Sequence, residues 1–325
     1  MSPDAPKPLI AVHSLVYNHE AYLHDYFRGL LMQQTNFPYI AIVHDDASTD
    51  GSADIIRAYA EKHPDIIKPI FESENLYSKD IGLLKRKMQE AAEAYGVKYI
   101  AVCEGDDYWN DPLKLQKQVD YMETHPDCYM TGCDVHFLTN EGEDVSRVRF
   151  KTSRRLSRYE AITKAGYVYT VGTVYRRDLL EGCPAGVLNC HVGDYPRQIM
   201  AALKGYIYIF GEKMATYRYA MGNSWTATRL KNIDEAKKLR AWRSELIMLD
   251  EMNRISQGRY ADLFCWRKGI YARHLRKLFP FMSPAITDLF RCNFAAHYWG
   301  DAPSLFRRLR NALILRLSMQ KAKLR

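Results

Sequence analysis

Between residues 9 and 103 a short apolar run repeatedly gives way to a polar break and then to a helical pattern. The apolar runs cover 9–15, 40–44, 66–71 and 99–103; helical periodicity covers 21–34, 52–62 and 81–95 and resumes after Pro112 as far as His125. The runs have strand length, and the helices between them are long enough to return the chain across a sheet. This alternation predicts an α/β fold, a mostly parallel sheet flanked by crossover helices. Further strands are expected over 129–137, 167–175, 206–210 and 214–219, a helix over 191–203, and a polar connection over 139–155. From residue 233 the pattern is helical, with breaks near Gly258, Pro280, Pro284 and Pro303.

The fourth run ends in Glu104-Gly105-Asp106-Asp107, followed by Tyr108-Trp109-Asn110-Asp111-Pro112. Acids released at the C-terminal end of a parallel strand lie at the ligand edge of such a sheet. Three carboxylates in four residues repel one another. A hard cation such as Mg²⁺ or Mn²⁺ offsets that repulsion, more so when a diphosphate supplies further oxygens. The plainer reading is a solvated turn ahead of the next helix, and Asp111-Pro112 is assigned to that helix start.

The second run ends in Asp45-Asp46-Ala47-Ser48-Thr49-Asp50-Gly51. Asp46 is the candidate there for hydrogen bonds from ribose or a base, and Asp50-Gly51 reads as turn chemistry. After the first run comes Tyr17-Asn18-His19-Glu20, where a Tyr can stack on a base and an Asn tolerates the bend; a packed Tyr and a capping Asn fit equally well. Asp194, in Gly193-Asp194-Tyr195, reads locally as a helix-start acid or as a general base. Trp109 and Trp225 can stack on sugar faces or pack in a core.

Several classes drop out. The chain has no G-x-G-x-x-G, no G-x-x-x-x-G-K-[ST], no G-x-S-x-G and no H-E-x-x-H. Seven scattered cysteines without a C-x-x-C pair fit reduced thiols in a cytoplasmic protein. No apolar run reaches membrane-spanning length, and the first eight residues lack the apolar core of a signal peptide. The 325 residues divide by charge: 1–225 carry 25 Lys+Arg against 30 Asp+Glu, and 226–325 carry 21 against 8. Two functionally different parts are therefore expected, 1–225 and a basic α-helical extension over 226–325. Within 304–325, Phe306, Leu309, Leu313 and Leu317 share helical spacing, with seven Lys and Arg and no acid. That composition suits a helix lying on an anionic membrane, and equally a terminal helix packed on the preceding ones.

Tyr17-Asn18, Asp45-Asp46-x-Ser-x-Asp-Gly and Glu104-Gly105-Asp106-Asp107, in this order after strands one, two and four, resemble glycosyltransferase family 2 with its GT-A, Rossmann-type fold. The resemblance covers about residues 8–220. The run through Tyr108-Trp109, Asp111-Pro112 and Lys114-Leu115-Gln116 resembles a bacterial polysaccharide-building subgroup. The resemblance implies an inverting transfer from a nucleotide diphosphate sugar to a hydroxyl of a glycan or lipid-linked glycan, with Mg²⁺ or Mn²⁺. It implies nucleotide-sugar contacts at Tyr17, Asn18, Asp46, Asn75, Glu104 and Asp106, and metal contacts at Asp106 and Asp107. Asp194 matches the catalytic base, and Arg218, in Tyr217-Arg218-Tyr219, a group stabilising the leaving diphosphate; Ala220 stands where the family pattern has His. Glu104 replaces the usual Asp. The implied location is cytoplasmic, with a peripheral position on the inner face of the plasma membrane, and no nucleic-acid partner. Two rival readings remain. A sugar-phosphate nucleotidyltransferase would show a Gly-rich first loop, and residues 16–20 contain no Gly. A nucleic-acid or anionic-surface binding protein acting through the basic last third would leave the acidic motifs unused.

Overall fold

The computed structural model describes residues 7–144, 148–219 and 235–278. In chain order its elements are β1 (Ile10–Val16), α1 (Leu23–Leu31), β2 (Tyr39–Asp45), α2 (Ser52–Lys62), β3 (Ile67–Phe71), α3 (Leu76–Lys79), α4 (Ile81–Ala94), β4 (Tyr99–Val102), β5 (Tyr108–Trp109), α5 (Lys114–Thr124), β6 (Cys128–Thr139), β7 (Gly142–Glu143), β8 (Arg154–Arg155), α6 (Arg158–Thr163), β9 (Val174–Arg176), α7 (Ala185–Leu188), α8 (Asp194–Lys204) and β10 (Tyr206–Arg218). Two long helices follow, Glu235–Ile255 and Ala261–Leu278. The strand–helix alternation read from the sequence is present, and the fold is α/β.

The chain forms two compact units. The first comprises residues 1–155, 168–181 and 204–232 and holds the whole sheet, in the order β3-β2-β1-β4-β9-β6-β10-β5. β7 adds to β6, and β8 to β10. β3, β2, β1 and β4 are parallel neighbours, as are β6 and β10; the short strands β5, β7, β8 and β9 pair antiparallel. Register places Val16 opposite Asp45, and the amide of Asp46 donates to the carbonyl of Val16 at 2.9 Å. The loops leaving β1 and β2 therefore start at the same height.

The core of this unit packs Ile10, Val12 and Val16 of β1 against Leu23, Tyr26 and Phe27 of α1, with Ala41 and Val43 of β2 and Trp109 of β5. Fully burying one such side chain is worth roughly 1.5–3 kcal/mol. Trp109 lies in this core and its indole N–H donates to the carbonyl of Val171 at 2.9 Å, which settles its place as packing rather than sugar stacking. α1 approaches β5 so closely that a Cβ on Gly29 would come within 2.5 Å of the Trp109 carbonyl oxygen.

Two expectations change in detail. Residues 167–175 were expected as one strand, but only Val174–Arg176 is extended and Thr170–Gly172 forms a 3-10 turn. The carbonyls of Val171 and Gly172 accept from Trp109 and Gln118 instead of from a strand. The two strands expected over 206–210 and 214–219 are one, β10, whose bulges between Phe210 and Ala215 absorb the polar Glu212-Lys213 step.

The second unit comprises residues 156–167, 182–203 and 233–325. Ser157 and Glu160 form a reciprocal capping box at the start of α6. Gln198 of α8 donates to the carbonyls of Ala161 (2.8 Å) and Lys164 (2.9 Å), tying α8 to α6. Buried Lys268 pairs with Asp250 between the two long helices. Among the described residues no helix is long and apolar enough to cross a membrane. Trp225, Ala220 and the segment 304–325 lie outside the described residues.

Candidate functional site

The loops after β1 and β2 are stitched together. Asn18 takes a left-handed conformation (φ 56°), which an Asn side chain tolerates. Its amide donates to Ser48 Oγ at 3.0 Å, and its Oδ1 accepts from the Thr49 amide at 2.8 Å. The His19 amide donates to Ser52 Oγ (2.9 Å), the Glu20 amide to Asp50 Oδ2 (3.1 Å), and the Gly51 amide to a Glu20 carboxylate oxygen (2.9 Å). Tyr17, just before these contacts, is 45% exposed.

Asp46 is buried, and both its oxygens are engaged: Oδ1 accepts from the Leu76 amide at 2.7 Å and Oδ2 from the Tyr77 amide at 2.9 Å. Asn75 caps the same short turn through Ser78 (2.8 Å) and reaches back to the Asp46 carbonyl (3.4 Å). Asp46 and Asn75 are thus brought together, each bonded to backbone. The neighbouring Asp45 is the acid with spare capacity. It is buried, Oδ2 accepts from the Ser48 amide at 3.2 Å, and Oδ1 has no hydrogen-bond partner among the described residues. A buried carboxylate oxygen without a donor costs free energy until one arrives. Sequence reading favoured Asp46 and passed over Asp45.

The acidic turn after β4 is built as follows. Glu104 accepts from the Leu15 amide at 2.9 Å, which fastens the turn to β1. A Cβ on Gly105 would come within 2.8 Å of Val16 and 2.9 Å of His19 Nδ1, so position 105 has no room for a side chain. Asp107 is buried, its Oδ1 accepting from the Arg218 amide at 2.8 Å. Burial, then the adjacent Asp106 charge, push its carboxyl well above the ordinary range against that hydrogen bond. Burial also lowers the His19 imidazole, opposed by the charges of Asp106, Asp50 and Asp45. Arg218 is almost fully buried; Nη1 donates to the Asp106 carbonyl at 2.9 Å, and the guanidinium lies 4.7 Å from the Tyr108 ring centroid and 5.0 Å from that of Tyr22. Behind the turn, Lys114 is fully buried, bonded to Gln118 Oε1 at 2.7 Å and 4.3 Å from the Trp109 ring centroid. Desolvation lowers its pKa to about 8.

No three His, Cys, Asp or Glu side chains converge as a ready-made metal cage among the described residues. The turn offers two adjacent carboxylates, Asp106 and Asp107, with one Asp107 oxygen already bonded to the Arg218 amide. Two carboxylates completed by substrate phosphates is the donor set that Mg²⁺-type ions accept, so these residues fit such a cation with the diphosphate as co-ligand.

Asp194 belongs to the second unit. It opens α8, and its Oδ1 accepts from the Tyr195 amide at 2.8 Å. Close by in that unit His191 bonds Ser244 through its amide (3.2 Å) and Nδ1 (3.0 Å), and pairs with buried Glu245 at 3.4 Å.

The sequence matches the family described as glycosyl transferase family 2 over residues 12–183. An uncharacterized protein of Mycobacterium tuberculosis is 34% identical over 217 residues, covering 66% of this chain and 60% of that relative. A putative teichuronic acid biosynthesis glycosyltransferase of Bacillus subtilis, TuaG, is 33% identical over 116 residues, covering 36% of this chain and 42% of the relative. The chain therefore spans less than two thirds of these relatives' length. Among solved structures, Staphylococcus aureus TarS (residues 1–349, with UDP-GlcNAc) superposes with a TM-score of 0.60 at 17% identity, covering 88% of this chain and 76% of that one.

Proposed function

The chain belongs to glycosyl transferase family 2, and from that premise we propose that it transfers a sugar from a nucleotide diphosphate sugar to an acceptor hydroxyl with inversion at the anomeric carbon. The observation that carries this reading is the gathering of three loops at one sheet edge: one bears exposed Tyr17, one the open Asp45 oxygen, and one the Asp106-Asp107 pair. The solved TarS structure holds UDP-GlcNAc, which agrees with a nucleotide-sugar donor.

In this mechanism the base stacks on Tyr17, and Asp45 Oδ1 accepts a base N–H or a ribose hydroxyl. Asp46 and Asn75 act on the nucleotide pocket by fixing the 75–78 turn, and Asn18 by fixing the loop that carries Tyr17. Glu104 holds the acidic turn to β1. Asp106 and Asp107 are the residues that would hold Mg²⁺ or Mn²⁺, which, when bound, neutralises the departing diphosphate. Arg218 sets a guanidinium at the same turn, where that negative charge grows. Asp194 is the proposed general base, taking the proton of the acceptor hydroxyl. Residues 1–225 form the catalytic domain in this reading, and 226–325 a basic extension.

The proposed setting is bacterial surface polysaccharide or glycan assembly, in line with the name of the Bacillus relative. The acceptor is a glycan or lipid-linked glycan. The work takes place in the cytoplasm, with segment 304–325 touching the inner face of the plasma membrane. The direct test is thermal stabilisation by UDP- and GDP-sugars with Mn²⁺, followed by release of the nucleoside diphosphate. Formation of a nucleotide sugar and pyrophosphate from a nucleoside triphosphate and a sugar phosphate, without transfer, would refute the reading.

A further inference from the structure

Asp25 lies in the first turn of α1, outside every motif that the sequence singles out. Its two oxygens are held by two arginines. Oδ1 pairs with Arg28 at 2.8 Å, and Oδ2 pairs with Nη2 of Arg218. Arg218 then reaches the acidic turn twice, through Nη1 to the Asp106 carbonyl (2.9 Å) and through its amide to Asp107 Oδ1 (2.8 Å). Tyr22, which precedes α1, and Tyr108, which follows Asp107, bracket the guanidinium. A continuous polar path therefore runs from the start of α1, through Asp25 and Arg218, to both residues of the proposed cation-binding pair.

The position of the guanidinium on Asp106 is informative. It bonds the backbone carbonyl of Asp106, while the adjacent Asp107 carboxylate accepts from the Arg218 amide. An arginine fork with one charged partner withdrawn turns toward the next carboxylate within reach, since charge-assisted bonds are about twice as strong as neutral ones. We propose that Asp25 is a positioning residue for the transfer: by anchoring Nη2 it keeps Arg218 on the Asp106 carbonyl, so the Asp106 carboxylate stays open to the cation and diphosphate of the donor. This inference rests on the glycosyltransferase reading. Asp25 touches neither substrate nor cation; it acts through Arg218.

The test uses full-length protein carrying Asp25→Asn, Asp25→Glu, Arg218→Gln, and Asp25→Asn with Arg218→Gln. UDP and GDP binding is titrated by calorimetry over a range of Mn²⁺ concentrations, with hydrogen exchange followed at amides 105–109. Asp25→Asn should raise the Mn²⁺ concentration needed for half-maximal nucleotide binding about tenfold, Asp25→Glu should recover most of it, and exchange at 105–109 should quicken in Asp25→Asn and in Arg218→Gln but not in Asp25→Glu. In the Arg218→Gln background Asp25→Asn should add no further loss, because residues acting through one another are non-additive. Unchanged Mn²⁺ dependence in Asp25→Asn, tighter binding, or losses that add in the double variant would each overturn the proposal. If the wild-type protein binds neither nucleotide with Mn²⁺, the glycosyltransferase reading fails; the exchange measurement still decides whether Asp25 holds the turn, and unaltered exchange in Asp25→Asn overturns that.

Discussion

Replacing Lys114 by Met should make the protein's stability less dependent on alkaline pH. Lys114 is fully buried, and its pKa falls from 10.5 in water to about 8 because the interior penalises the cation. Below the folded-state value both the folded and the unfolded chain hold the proton, so the full penalty is present. Between the two values the unfolded chain binds more protons than the folded one, and stability rises with pH. Over the whole window the shift corresponds to about 3 kcal/mol, and between pH of about 7.5 and about 9.5 to about 2 kcal/mol. The variant lacks this gain. At the lower pH it loses the desolvation cost but leaves Gln118 Oε1 without its donor, a penalty of roughly 1–3 kcal/mol, so its net stability there changes little. The measurement is urea unfolding of both proteins at both pH values. Other groups titrate in this range, but most cancel in the difference between the two proteins. The Cys103 and Cys133 thiols are the exception, since Lys114 favours their thiolates. Wild type should gain about 2 kcal/mol relative to the variant on going to the higher pH. Parallel pH dependences would show that Lys114 is not a buried cation, and the account of the layer beneath the acidic turn would fall.

Three further outcomes are expected. Asp106→Asn should abolish Mn²⁺-dependent donor binding in calorimetry while thermal melts stay within a few degrees of wild type, because the residue sits in a loop at the sheet edge; wild-type affinity would remove it from the cation site. Asp194→Asn should leave nucleotide binding near wild type and cut turnover by roughly 10²–10⁴-fold, and wild-type transfer rates would reduce it to a first-turn helix acid. The full-length protein should sediment with anionic liposomes in a salt-sensitive manner, with on the order of 1 kcal/mol per basic residue at the surface, and deletion of 304–325 should abolish this; equal binding by the truncated chain would refute the membrane contact.

The sheet was legible because its first half alternates strand and helix with clear breaks, and because acids cluster where strands end. The different surroundings of Asp45 and Asp46 were not. β2 is buried on both faces through Asp45, so its sequence carries no in–out alternation to show which acid points where. The capture of Asp46 by the Leu76 and Tyr77 amides depends on a turn thirty positions on. Asp25 was out of reach for the same reason on a larger scale, since its partner Arg218 is 193 residues away. The short β9 in place of a longer strand reflects Trp109 and Gln118 side chains claiming backbone carbonyls, which no local propensity records. Asp50, whose carboxylate accepts from the Ser52 amide two positions on, was the polar residue whose turn chemistry the sequence did convey.

The bonds joining residues 18–20 to residues 48–52 make the first two loops one mechanical piece. Exchanging either loop alone would strand several hydrogen bonds at once. A chimera should therefore move the two loops together, cut at the ends of β1 and β2, so that the bonds of Asn18 and Ser52 are kept.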